Sequence, residues 1–198
     1  MPAAVQLGMS EKPSSDHTVS RPLLILDLDE TLVFGTEKEL SRAPDFRVTR
    51  FHVYRRPHLL PFLEYCFADF DVAVWTSAGR AYATEVVAQV FGQRELRFFW
   101  SAERCTQRTD FNTYDRYAVK DLRKVRKLGF PLEQILMVDD SPEKLERQYG
   151  NHIKITPFEG DLSDAELPAL ADYLRSIRQQ PNYRTIEKRH WRGSPTAA

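Results

Sequence analysis

The stretch Leu23-Leu-Ile-Leu-Asp-Leu-Asp-Glu-Thr-Leu-Val33 decides the fold of this chain. Its four leading apolar residues, 23–26, predict a short strand that is buried on both faces. Two carboxylates and a hydroxyl follow at alternating positions, Asp27, Asp29 and Thr31. Acidic groups this close repel each other and lose solvation, so they need a compensating group, most simply a divalent cation with oxygen ligands. The stretch therefore predicts a metal or phosphate site at a rigid strand end.

The composition limits the class of protein. The chain has 198 residues, enough for one core of ordinary size, and Lys plus Arg equal Asp plus Glu at 28 each. No net charge attracts it to nucleic acid or to a membrane surface, and no apolar run has the length of a signal peptide or a membrane span. Cys66 and Cys105 are its two cysteines. We expect a cytoplasmic monomer, nuclear in a eukaryote, that binds neither membrane nor nucleic acid; a secreted protein with one disulfide is the alternative.

Three segments are predicted. Residues 1–21 mix Pro, Ser, Ala and isolated charges without periodicity, which is typical of a disordered leader. Residues 22–178 form a single domain. Residues 179–198 form a basic C-terminal tail, either solvated or lying on the body of the domain, because its scattered positive charges are too few for a nucleic-acid site.

Strand and helix patterns alternate through the domain. Four more apolar stretches predict strands, at residues 71–76, 96–100, 134–138 and 152–155. Helical periodicity separates them, so we predict an α/β fold: a Rossmann-like parallel sheet of about five strands with helices on both faces. Alternation over residues 46–54 predicts a short β-ribbon inserted after the first strand.

Smaller features are also predicted. We expect Pro57 to be the first residue of a helix, residues 101–117 to form a loop, and residues 163–166 to be a capping box for the last helix.

Polar side chains follow several of the predicted strands. Ligands of open parallel sheets bind beyond the carboxyl ends of the strands, so these side chains are expected to converge. Some of them also have a structural interpretation when taken alone: Thr76 as a strand-end hydroxyl, Lys120 as a solvated lysine, and the pair Asp139-Asp140 as acids before a helix. The converging residues are Asp27, Asp29, Thr76, Lys120, Asp139 and Asp140.

These motifs resemble the four motifs of the haloacid dehalogenase (HAD) superfamily. Five longer segments resemble the FCP1/small C-terminal-domain phosphatase family (the FCP1 homology domain), which dephosphorylates serine in protein tails. The segments are Asp27-Leu-Asp-Glu-Thr-Leu-Val33, Arg56-Pro-His58, Trp75-Thr-Ser-Ala78, Val119-Lys-Asp-Leu122 and Val138-Asp-Asp-Ser-Pro142. The fourth motif has Asp139-Asp140, where the small phosphatases usually have Asp-Asn.

A hydrolase mechanism is predicted from these residues. Asp27 is the expected nucleophile, which forms an aspartyl-phosphate, and Asp29 the expected acid and base. The resemblance implies that Mg²⁺ is held by Asp27, the backbone carbonyl of Asp29, and the pair Asp139 and Asp140. The predicted phosphate-binding residues are Thr31, Thr76, Ser77 and Lys120.

Three functions remain open at this stage. The first is a Mg²⁺-dependent phosphatase of phosphoserine or phosphothreonine in a protein or peptide tail. The second is a phosphatase of a small metabolite or a nucleic-acid end, and the third is a non-catalytic phosphate-binding module. The intact acidic pair Asp27 and Asp29 favours an enzyme.

Overall fold

We describe the computed structural model of the chain over residues 21–193, except for residues 110 and 112. The strands are β1 Leu23–Leu26, β2 Val33–Thr36, β3 Phe46–Val48, β4 Phe51–Arg55, β5 Asp71–Trp75, β6 Phe99–Trp100, β7 Thr106–Thr109, β8 Arg116–Val119, β9 Ile135–Asp139 and β10 His152–Lys154. The α-helices are α1 Leu59–Asp69, α2 Arg80–Phe91, α3 Arg123–Arg126 and α4 Glu166–Ile177.

The central sheet has five parallel strands in the order β10-β9-β1-β5-β6. The side chains of β1 alternate between its two faces and are completely buried. Leu24 and Leu26 pack in a core with residues of α1, α2 and α4, whereas Leu23 and Ile25 pack in a second core with Val125 of α3. Helices therefore cover both faces, which confirms the predicted Rossmann-like α/β fold.

The insert after β1 is a three-stranded antiparallel sheet in the order β2-β4-β3. The predicted ribbon corresponds to β3 and β4, and the polar stretch before it contributes β2. Val48 and Val53 of the insert are buried in the same core as α1 and α2, so the insert is packed against the domain.

Residues 101–117 were expected to form a loop, and this prediction is wrong. The segment contributes the antiparallel hairpin of β7 and β8, with Thr106 opposite Val119. All residues of the two strands except Val119 are exposed or only partly buried, and the strands pair with each other, so they lack the apolar alternation that marks a strand in sequence. The predicted strand 96–100 is shorter than expected, since only Phe99 and Trp100 pair with β5.

Two helix starts also differ from expectation. Helix α1 begins at Leu59 after His58, whose φ of 63° is left-handed, so Pro57 lies in the preceding turn. Helix α4 begins at Glu166, and the Ser163 hydroxyl donates to Asp161 instead of capping the helix. The Asp164 carboxylate accepts from the backbone N–H of Glu166 at 3.0 Å, because a carboxylate is the stronger acceptor for that exposed donor.

The C-terminal residues up to Gly193 lie on the domain. Tyr183 and Trp191 are buried, and the Trp191 indole donates to the carbonyl of Lys154 on β10 at 2.7 Å. The Arg192 guanidinium pairs with Glu166 at the start of α4. Apart from Arg21, the expected leader lies outside the described residues, as do residues 194–198.

Cys66 and Cys105 are buried and free of any disulfide. Among the described residues, no helix combines the length and the apolar character that crossing a membrane requires.

Candidate active site

The register of the sheet brings two carboxylates side by side. Leu26 of β1 pairs with Val138 of β9, so Asp27 and Asp139 are the next residues of two adjacent parallel strands. The backbone N–H of Asp27 continues the ladder by donating to the carbonyl of Val138 at 3.0 Å. Both side chains are buried, so their mutual repulsion is not relieved by water.

Lys120 provides the compensating charge. It directly follows β8, and its backbone N–H donates to the carbonyl of Lys144 at 2.8 Å, which fixes its backbone against the segment that follows β9. Its ammonium lies 2.9 Å from Asp27 Oδ1 and 2.6 Å from Asp139 Oδ2, with no exposure to solvent. Burial alone would lower the pKa of Lys120, but the two carboxylates raise it above its ordinary value. Lys120 is therefore a permanent cation within the site.

The environment of Asp27 has opposing effects on its ionisation. Burial raises the pKa of Asp27 and the neighbouring Lys120 opposes this rise, while Asp139 reinforces it. A carboxylate in this balance retains its charge through its cationic neighbours, first Lys120 and then Lys144, which links the reactivity of Asp27 to Lys120.

Asp140 completes a group of three acids. One carboxylate oxygen from each of Asp27, Asp139 and Asp140 lies within 4.8 Å of the other two. One oxygen of Asp140 accepts from the Ser141 hydroxyl at 2.9 Å, and the other, Oδ1, is buried without a hydrogen-bond partner among the described residues. A buried acceptor without a partner is costly, so this oxygen favours a ligand that the protein itself does not supply.

Asp29 lies in the tight turn after β1, apart from the three grouped acids. The next residue, Glu30, has a left-handed φ of 58°, and its N–H donates to the carbonyl of Val33 at 2.7 Å. The Tyr82 hydroxyl on α2 donates to Asp29 Oδ1 at 2.6 Å. Burial raises the pKa of Asp29 to about 6, and the hydrogen bond from Tyr82 limits that rise. Asp29 can therefore carry or release a proton near neutral pH.

Gly35 on β2 makes the approach of Tyr82 possible. A Cβ atom at residue 35 would lie 2.4 Å from the Tyr82 hydroxyl oxygen and 3.5 Å from Asp29 Oδ1. At 2.4 Å, the first distance is shorter than the contacts that Cβ atoms make with other heavy atoms in real structures. The insert thus contributes to the site through the space that a glycine leaves open.

The predicted phosphate-binding hydroxyls occupy two of the loops around the site. Thr31 is completely buried, and among the described residues its hydroxyl has no hydrogen-bond partner. Thr76 follows β5, and its hydroxyl oxygen accepts from the N–H of Ala78 at 3.0 Å, which leaves its hydrogen available for donation. Ser77 lies next to it and is partly buried. Contact of these three hydroxyls with a phosphoryl group stays a prediction.

Arg56 supports the loop that carries Thr31. This guanidinium is buried and binds Asp164 through two nitrogens, at 2.9 and 2.8 Å. It also donates to the backbone carbonyls of Thr31 at 3.1 Å and Thr156 at 2.8 Å. Arg56 thereby joins the acidic motif to the segment before α4. In the sequence, Arg56 belongs to a segment that resembles the family, but no role is predicted for it.

Tyr82 and Lys144 are the site residues that sequence reasoning missed. Tyr82 has the spacing of an ordinary core residue on the face of α2, together with Val86 and Val90, and no motif marks it as a partner of Asp29. Lys144 lies in the 3₁₀ helix Pro142–Leu145, with its ammonium 3.7 Å from Asp27 Oδ2. In the sequence, a single lysine after Asp139-Asp140 does not predict this contact.

Comparison with known proteins gives one family. The sequence model of the NLI interacting factor-like phosphatases matches residues 22–184. A CTD phosphatase-like protein of invertebrate iridescent virus 3 is 31% identical over 160 residues, which cover 70% of this chain and 84% of the viral protein. A CTD nuclear envelope phosphatase 1 homolog of Drosophila melanogaster is 28% identical over 197 residues, which cover 90% of this chain and 77% of the Drosophila protein. CTD small phosphatase-like protein 2 of Dictyostelium discoideum is 27% identical, but this chain spans only 29% of its length.

A solved structure has the same fold. It is that of the fission yeast RNA polymerase II CTD phosphatase Fcp1 bound to beryllium fluoride, with a TM-score of 0.54 and 19% identity. The match covers 74% of this chain and 44% of the solved one. The match to the family spans the whole site, from β1 through α4, and agrees with the resemblance seen in the motifs. The chain therefore belongs to the NLI interacting factor-like phosphatases, and it is a phosphatase of the haloacid dehalogenase type.

Proposed function

We propose that this protein is a Mg²⁺-dependent phosphatase that hydrolyses phosphoserine or phosphothreonine in proteins through an aspartyl-phosphate on Asp27. The observation that carries the proposal is the buried contact of Lys120 with both Asp27 and Asp139 at the carboxyl edge of the sheet. A phosphate monoester is anionic and repels a carboxylate nucleophile. A fixed cation beside the nucleophile is what such an attack needs.

The first step transfers the phosphoryl group to the enzyme. A carboxylate oxygen of Asp27 attacks phosphorus in line, and the bond from phosphorus to the ester oxygen breaks. Asp29 donates its proton to that oxygen, which leaves as the serine or threonine hydroxyl. Its pKa of about 6 is suited to a group that must hold a proton at the start and lose it during the step.

The second step releases phosphate. The ionised Asp29 now accepts a proton from a water molecule that attacks phosphorus, and the bond between phosphorus and Asp27 breaks. Inorganic phosphate leaves and both carboxyl groups return to their starting states. Throughout both steps Lys120 offsets negative charge at Asp27, and we propose that Thr31, Thr76 and Ser77 donate hydrogen bonds to the phosphoryl oxygens.

The acidic group is suited to magnesium. Its donor set consists of oxygen atoms, the ligands that Mg²⁺ prefers, and the buried Asp140 Oδ1 lacks a protein partner among the described residues. The residues that would hold the ion are Asp27, Asp139, Asp140 and the backbone carbonyl of Asp29. When bound, Mg²⁺ supplies positive charge that favours approach of the anionic phosphoryl group.

We propose a protein substrate for two reasons. The described insert after β1, residues 33–55, is a small three-stranded sheet, which leaves room for a flexible peptide to approach the strand ends. Relatives are named CTD phosphatases or nuclear envelope phosphatases. Because of the nuclear envelope phosphatases among these relatives, we also propose a location associated with the nucleus. A monomeric state and the lack of nucleic-acid binding stay predictions.

The test is a comparison of substrates with the purified chain. Phosphoserine and phosphothreonine peptides should be hydrolysed in Mg²⁺ and not in excess chelator, and Asp27→Asn should be inactive. Sugar phosphates, nucleoside monophosphates and a phosphorylated oligonucleotide should be poor substrates. Faster hydrolysis of any of these than of every peptide would contradict the protein substrate. Mg²⁺ binding without hydrolysis of any ester would favour a binding module instead.

A further inference from the structure

Lys144 is a second cation at the same pair of acids as Lys120. Its backbone is fixed, because its N–H donates to the carbonyl of Ser141 at 3.2 Å and its carbonyl accepts from the N–H of Lys120 at 2.8 Å. Its side chain is 20% exposed, whereas that of Lys120 is completely buried. A fixed backbone with a partly exposed side chain leaves Lys144 a route towards solvent.

The two lysines face different oxygens of the acids. Lys120 contacts Asp27 Oδ1 and Asp139 Oδ2 at 2.9 and 2.6 Å. The Lys144 ammonium lies 3.7 Å from Asp27 Oδ2 and 3.9 Å from Asp139 Oδ1. The oxygens that Lys120 does not hold are therefore turned towards Lys144, and its contacts with them are longer.

A divalent cation bound by Asp27 would use Oδ2, the oxygen that faces Lys144. Asp27 Oδ1 and Asp139 Oδ2 are already ion-paired with Lys120, and Asp139 Oδ1 accepts from the backbone N–H of Ser141 at 2.9 Å. An ammonium and a divalent cation repel each other strongly at such separations in a buried site. The Lys144 ammonium and a divalent cation therefore cannot both stay close to the same carboxylate oxygens.

We propose that Lys144 is a displaceable counter-ion, which neutralises Asp27 and Asp139 in the metal-free enzyme and withdraws when a divalent cation binds. The inference rests on the metal site of the proposed function and adds a residue that sets its affinity. Two consequences follow from linkage: Lys144 weakens metal binding, and it stabilises the metal-free protein.

The direct test is the affinity of the metal itself. Mg²⁺ is titrated calorimetrically into metal-free wild type and Lys144→Met at one pH and ionic strength. Methionine keeps much of the side-chain volume and removes the charge, so Lys144→Met should bind Mg²⁺ roughly 5- to 150-fold more tightly, the range of a typical coupling between two sites. Lys144→Arg keeps the charge and should stay near the wild-type affinity. Lys127→Met removes an exposed lysine of the loop after α3 and is the matched control.

Thermal unfolding gives an independent readout. In chelator, Lys144→Met should unfold at a lower temperature than wild type, and saturating Mg²⁺ should raise its unfolding temperature by a larger increment. Equal or weaker Mg²⁺ binding by Lys144→Met would overturn the inference while leaving the metal site intact. Unchanged Mg²⁺ affinity with weaker inhibition by inorganic phosphate would also overturn it, because Lys144 would then contact the phosphoryl group. If none of the folded proteins binds Mg²⁺, the metal site of the proposed function fails first.

Discussion

Two regions of this protein contain the same kind of interaction in opposite surroundings. At the carboxyl edge of the central sheet, Lys120 pairs with Asp27 and Asp139, all with side-chain exposures of 2% or less. At the edge of the inserted sheet, Arg50 in the turn between β3 and β4 pairs with Glu37, the residue after β2, at side-chain exposures of 71% and 61%. Water screens the exposed pair but cannot reach the buried ones. The same kind of ion pair is therefore weak at the surface and costly to break in the interior. The comparison teaches that burial, more than the number of charges, decides which ion pairs are costly to break and can support chemistry.

The largest expected effect comes from removing the buried cation. Lys120→Met leaves Asp27 and Asp139 buried together with only the more distant Lys144 beside them, and we expect it to lower the free energy of unfolding by about 3–5 kcal/mol. Urea unfolding of the metal-free protein measures this. The exposed control Lys127→Met should stay within about 0.5 kcal/mol of wild type. A loss below about 1 kcal/mol for Lys120→Met would remove the contrast between the two regions.

Arg56 tests a buried ion pair that lies away from the grouped acids. Arg56→Met leaves Asp164 and the carbonyls of Thr31 and Thr156 without their donors, and should cost about 2–4 kcal/mol in the same urea assay. Arg56→Lys should recover only part of this loss, because an ammonium lacks the planar fork that reaches all three partners. Full recovery by lysine would mean that charge alone matters here.

The buried region was also the more predictable one. The apolar runs before Asp27, Thr76 and Asp139 predict parallel strands, and strand ends converge by geometry, so sequence placed the acids together without coordinates. The hairpin of β7 and β8 was not predictable, since its strands pair with each other and need no apolar face. Lys144 and Tyr82 were missed because their contacts depend on a 3₁₀ turn and on the space beside Gly35, and neither has a sequence pattern.

A smaller effect is expected at Asp29, which lies between the two regions. Asp29 must be protonated to assist the leaving group, so kcat/KM for a phosphoserine peptide should fall as the pH rises through about 6. The Tyr82 hydroxyl donates to the ionised carboxylate and holds its pKa down. Tyr82→Phe should therefore raise the pKa of Asp29 and move the falling limb of the pH profile of kcat/KM to higher pH by about one to two units.

The pH profile of kcat/KM for wild type and Tyr82→Phe measures this shift. Phe51, whose ring packs edge-on against Tyr82, provides a control, because Phe51→Leu perturbs the packing without removing the hydroxyl. A limb that moves equally in both variants would mean that packing, and not the hydrogen bond, sets the acidity of Asp29.

The smallest effect is expected on the inserted sheet. Arg50→Ala removes one partner of an exposed pair and should change the free energy of unfolding by at most about 1 kcal/mol. A double-mutant cycle with Glu37→Ala at low and high salt measures the coupling, which should fall as salt increases. A salt-independent coupling of more than about 2 kcal/mol would show that this pair behaves like a buried one.

The central claim is that Asp27 carries the phosphoryl group. Asp29→Asn cannot activate the water of the second step, so the intermediate should accumulate when the substrate is an aryl phosphate whose leaving group needs no proton. Rapid acid quench in the presence of Mg²⁺, followed by intact-mass and peptide mass spectrometry, should find one added phosphoryl group per chain, located on Asp27. Hydrolysis by wild type with no adduct on the trapped variant, or an adduct on any residue other than Asp27, would contradict the account.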